Sequence, residues 1–162
     1  ILTCNKRAMF LVSDTSEARE ARIRTFLQDD ASLGALLAVV NLEWTIRRAI
    51  IALGTSPNLD LRESLRKCHG HQAFKDLWKL EVTPRTNRRL PEVVSNWENV
   101  QRAFKVRNTL VHAIRVVSAD YATERAEWAL TASHEIGAFA QSHGVDLDQR
   151  LPVRRRPRTQ EA

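Results

Sequence analysis

Apolar residues recur at three- and four-residue steps along almost the whole chain, and no stretch alternates apolar and polar residues as a half-buried strand would. In SDTSEAREARIRTFLQDD (13–30), Ser13, Asp14 and Thr15 are N-cap candidates, and Ile23, Phe26 and Leu27 form one stripe. ASLGALLAVVNLEWTIRRAIIALG (31–54) is apolar most of the way round, which predicts the central and most buried helix. Gly54, followed by Ser56 and Pro57, stops it. NLDLRESLRKCHG (58–70) and HQAFKDLWKLE (71–81) read as a shorter helix broken or kinked at Gly70. VTPRTNRRLP (82–91) reads as a loop carrying Arg85, Arg88 and Arg89. From Pro91 the pattern predicts one long helix to Val117. A final amphipathic helix follows over 118–144, with Ser118 or Asp120 near its cap and Gly144 at its end.

After Val145 the periodicity stops, and LPVRRRPRTQEA is expected to be a basic, disordered tail. The predicted architecture is an all-α bundle of four long helices plus a short helix or kink, within one domain over residues 1–144. Residues 1–12 are expected to be irregular, and 145–162 form the tail. Antiparallel packing would set the 91–117 helix beside the 31–54 helix. Trp44, Trp78, Trp97 and Trp128 fall one to a helix and are expected to anchor the core. No run approaches the roughly 18 uninterrupted apolar residues of a membrane span, and no secretory signal is visible. Cys4 and Cys68 build no disulfide framework, so a reducing cytoplasm is expected.

Charge narrows the partners. The net charge is +6, with 20 Arg against five Lys, and the pI is about 10.0. The guanidinium fork matches phosphate oxygens and stacks on bases, so this bias points to nucleic acid, although GC-rich coding would give the same excess. CHGH (68–71) has zinc-ligand residue types but no second cluster at a useful spacing, so no metal centre is expected.

The stretch KVRNTLVHAIR (105–115) carries the candidate chemistry. At about 100° per residue, Val106, Leu110, Ala113, Ile114 and Val117 share one arc of a helix, and Arg107 falls inside it. Asn108, His112 and Arg115 share the opposite face. A charge in an apolar arc is costly unless it is paired or opens onto a cleft. Arg107 and His112 diverge by about 140°, so one straight helix would not bring them together. Either the helix begins or kinks near 107, or a second subunit completes the site. Glu43 in NLEWT either orients Arg107 across the bundle or is a solvated carboxylate.

RNTLVH (107–112) resembles the Arg-(four to six residues)-His motif of the HEPN superfamily, with Asn108 at a position where that family often has Asn. Two further Arg-to-His matches, Arg62 to His69 and Arg66 to His71, flank the break at Gly70, whereas 107–112 lies in the next-to-last helix, as the family places it. The resemblance covers the helical order from about 31 to 143. It implies a small helical bundle acting as a homodimeric, metal-independent endoribonuclease with no cofactor, in a toxin–antitoxin or antiviral system. RNA and a cognate antitoxin or effector protein are the implied partners.

In that chemistry His112 moves protons, and Arg107 stabilises charge on the phosphate. Asn108 fixes the imidazole or the phosphate. Arg115 supports the site, while Lys105, Arg85, Arg88 and Arg89 hold the RNA backbone. No tyrosine follows His112 by two residues, where Ile114 stands, so the nucleotidylation known in one subgroup is not implied. Two other readings compete: a non-catalytic HEPN-like interaction module, and a DNA-binding regulator using 71–94 as a helix-turn-helix. The length of the TPRTNRR connection argues against the second.

Overall fold

The computed structural model describes residues 15–157, and every regular element among them is a helix. In order they are α1 (Ser16–Asp29), α2 (Ala31–Leu53), α3 (Asn58–Arg66), α4 (Gly70–Glu81), α5 (Thr83–Thr86), α6 (Leu90–Val93), α7 (Trp97–Val111) and α8 (Ala119–Ser142). The all-α class follows the periodicity of the sequence. The expected irregular segment 1–12 with Cys4, the cap candidates Ser13 and Asp14, and tail residues 158–162 lie outside the described residues.

As its composition predicts, α2 is the centre, packed against α1, α3, α4, α7 and α8. Ala35, Ala38, Val39, Leu42, Ile46, Ala49, Ile50 and Leu53 are wholly buried along it. Across from α2, α8 buries Ala122, Ala126, Ala129, Ala132 and Ala140. Small side chains on both helices let their axes approach closely. Between α1 and α2 the turn is a single residue. Asp30 donates its N–H to the Phe26 carbonyl, and its carboxylate accepts from the Leu33 N–H. The hairpin is tight enough that a Cβ on Gly34 would stand 2.6 Å from Leu27 Cδ2.

Four expectations change. First, 82–91 is not an open loop: α5 and α6 are single turns, each with a proline as its second residue. Asn87 bends the chain between them at φ 53, and the Trp78 indole N–H and Thr83 hydroxyl both donate to the Arg88 carbonyl. Second, the long 91–117 helix is divided. Val94, Ser95 and Asn96 leave the helix, Ser95 donates its N–H to Glu135, and Asn96 caps α7 by accepting from the Asn99 N–H. Its far end closes at His112.

Third, residues 145–157 are docked. The Arg154 side chain donates to the carbonyls of Ile51, Ala52 and Ser56, its backbone N–H donates to Asn58 Oδ1, and its carbonyl accepts from the Asn58 N–H. Arg48 donates to the carbonyls of Leu147 and Gln149, and Arg156 pairs with Asp60. Composition suggests a loose tail, but the open carbonyls at the end of α2 supply partners for Arg154, and Asp60 supplies one for Arg156. Fourth, only Trp78 of the four tryptophans is fully buried. Trp44 is overlaid by the guanidiniums of Arg19 and Arg48, and Trp128 by that of Arg125.

Candidate active site

The motif lies at the C-terminal end of α7. Ala113 donates its N–H to Leu110, and Ile114 donates to Thr109, while Ala113 itself sits at φ 49. That is a Schellman closure with alanine in the left-handed position usually given to glycine. His112 is therefore the C-cap, at φ −94 and ψ 6, and not a mid-helix residue. The apolar arc ends here too. Val100, Ala103, Phe104 and Val106 are buried, but Val111 is 52%, Ile114 68% and Val116 97% exposed.

Arg107 is partly exposed, with 34% of its side chain accessible. Its Nε stands 3.4 Å from Glu43 Oε1, and one terminal nitrogen donates to Asn108 Oδ1 at 3.0 Å. Glu43 is more enclosed, at 15% exposure. Its Oε1 accepts no aligned hydrogen bond, so the contact is an ion pair rather than a charge-assisted hydrogen bond. Of the two readings of Glu43, the structure favours the one facing Arg107 across the bundle.

His112 is exposed, and its backbone N–H donates to the Asn108 carbonyl. Among the described residues, no hydrogen bond joins its ring to Arg107. The geometry thus unites Arg107, Asn108 and Glu43, and leaves His112 at the next turn, facing solvent. Arg115 lies in the segment after α7, its guanidinium 5.9 Å from the Tyr121 ring centroid. Arg85, Arg88 and Arg89 are exposed on the α5–α6 corner, before the N-terminal end of α7. With α7 spanning roughly 22 Å, that corner is not part of the motif's surroundings.

Two polar arrangements carry no sequence signature. A groove beside Asn108 is lined by Gly70, His71, Gln101, Phe104 and Lys105. His71, which belongs to one of the chance Arg-to-His matches, packs its ring against Trp97 and Phe104. On the other side of α2, Arg19 is buried at 1% exposure and donates to Asn41 Oδ1 at 2.8 Å. Its guanidinium lies 3.7 Å from the Trp44 ring centroid, and Asn41 donates in turn to Ser133.

Comparison with protein-family models, with curated proteins and with solved structures finds no match to this chain.

Proposed function

We propose that the chain is a HEPN-like, homodimeric endoribonuclease that cuts single-stranded RNA without a metal, as the effector of a toxin–antitoxin or antiviral system. The observation that carries this reading is the meeting of Glu43, Arg107 and Asn108 across α2 and α7, with His112 open to solvent at the helix end. Glu43 engages Arg107 through Nε and Asn108 Oδ1 accepts from one terminal nitrogen, which leaves the other for a phosphate. A neutral His112 takes the 2′-OH proton, and the 2′-oxygen attacks the adjacent phosphorus. The bond from phosphorus to the 5′-oxygen breaks, and that oxygen takes a proton from an imidazolium, supplied by the second copy's equivalent ring. Arg107 stabilises the pentacoordinate phosphate between these steps. The products are a 2′,3′-cyclic phosphate and a 5′-hydroxyl.

The exposed Val111, Ile114 and Val116 beside the motif are the surface that a second copy would cover. The same residues also favour the rival reading, a non-catalytic module that holds an antitoxin or effector domain. The helix-turn-helix reading loses support, because two single turns follow α4 where a recognition helix would stand.

The test is cleavage of single-stranded RNA by His112→Ala and Arg107→Ala. Losing the proton-transfer group should cost ~10²–10⁴-fold in rate. Losing the phosphate donor should cost roughly 10²–10³-fold. EDTA should leave the parent untouched, and the ends should carry the cyclic phosphate. A His112→Ala protein that cuts as fast as the parent, or a reaction stopped by EDTA, defeats the reading.

A further inference from the structure

We propose that the groove between α4 and α7 binds the nucleotide adjoining the scissile phosphate, with Lys105 holding its phosphate and Gln101 reading its base. The inference rests on the ribonuclease reading and deepens it. The groove is shallow and open to solvent, with a volume of about 470 Å³. One wall is a stripe of α7: Glu98, Gln101, Lys105 and Asn108 stand three or four residues apart and share a face. Gly70 and His71 line it from α4, and Phe104, 1% exposed, contributes apolar surface.

Asn108 belongs both to the groove and to the Arg107 cluster, so the groove opens where the reacting phosphate would sit. From Asn108 back to Gln101 it follows α7 for roughly 10 Å, at 1.5 Å per residue. That length suits one nucleotide with its flanking phosphate. Glu98, the carboxylate in the groove, is paired with Arg102. Lys105 is exposed, and its ammonium is available to an anion.

Gln101 is half-buried and offers an amide donor and acceptor, the pair a base edge requires. The His71 ring is fixed edge-on by Trp97 and Phe104, at centroid distances of 6.1 and 5.9 Å. Burial, and secondarily the charge of Lys75, hold its pKa below the ordinary histidine value, so it is a neutral ring at neutral pH. A neutral ring fixed beside a lysine suits a base and its phosphate. An exposed lysine alone would not choose among bases; the half-buried Gln101 amide supplies that choice.

The experiment uses fluorescein-labelled, 2′-O-methylated octamers of A, C or U, which cannot be cut by 2′-OH attack. The parent should bind them with unequal affinity. Lys105→Ala should weaken all three about tenfold and lower the slope of log affinity against log salt by roughly 0.7. Gln101→Ala should shrink the difference between octamers, and Lys79→Ala, further along α4, should leave binding unchanged. Unshifted thermal melting shows that the variants are folded. If His112→Ala has lost cleavage of ordinary RNA while Lys105→Ala and Gln101→Ala bind all octamers as the parent does, the groove assignment is wrong and the nuclease reading stands. A parent indifferent to base overturns the role of Gln101. If His112→Ala still cuts at the parental rate, the nuclease reading and the groove fall together.

Discussion

Ala113 holds φ 49, a region that costs an L-residue about 1–2 kcal/mol and costs glycine almost nothing. It does so directly after His112, where its N–H and that of Ile114 close α7. Ala113→Gly should therefore raise unfolding free energy by about 0.5–1 kcal/mol in urea titration, since part of the relief is offset by glycine's greater freedom when unfolded. On the nuclease reading, cleavage should slow in the same variant, because the loop that sets His112 becomes less constrained. A loss of stability would show that the left-handed residue is not strained. Single residues differed greatly in how far the sequence disclosed them. RNTLVH could be picked out because its spacing has a chemical reason and its neighbours are apolar. Arg19 could not, because EAREARIR has the look of a solvated face and its burial depends on Asn41, Trp44 and Ser133, far away in the chain.

Helix ends decide much at the next scale. The carbonyls at the end of α2 are bonded by Arg154, and the turn after it is held by Glu81, which accepts from the N–H and hydroxyl groups of Thr55 and Ser56. Arg154→Ala should cost roughly 2 kcal/mol, the scale of hydrogen bonds to a charged group. Truncation before Val145 should cost more and broaden melting; an unchanged melting curve would mean the docked segment contributes nothing. For Glu81, burial works to raise the pKa, but the four bonds outweigh it and hold the carboxylate below its ordinary value near 4.5. A depressed carboxylate stabilises the fold above its unfolded pKa, and that stability is lost as pH falls through the folded value. Glu81→Gln should thus be less stable than the parent at pH 7, by about 2 kcal/mol, with the gap closing below about pH 4.5. Denaturation at a series of pH values checks this, and a gap that stays constant with pH would remove the carboxylate's charge from the account. The long apolar helices were plain from periodicity. The break at Val94–Asn96 and the docked C-terminal segment were not, because both depend on partners far off in the chain: Glu135 for Ser95, and the α2 carbonyls for Arg154.

Across the whole molecule, charge and apolar exposure are unevenly placed. Val111, Ile114 and Val116 are exposed around Arg107 and His112, and Leu59, Leu80 and Val153 are exposed elsewhere, while most large apolar side chains among the described residues are covered. On the dimer reading, Ile114→Asp with Val116→Asp should convert a dimer to a monomer in sedimentation at micromolar concentration and abolish cleavage. The fold of each subunit should survive, since neither side chain is buried in the bundle. A monomeric parent, or a monomeric variant that still cuts RNA, would count against a shared site.

The bonds from Arg154 to Ala52 and Ile51 span 102 and 103 positions of sequence. During synthesis the last carbonyls of α2 stay open to water until about a hundred further residues have been added. At ~5–20 residues per second, that interval lasts roughly 5–20 s. For that time the nascent chain holds a central helix with an unfinished end.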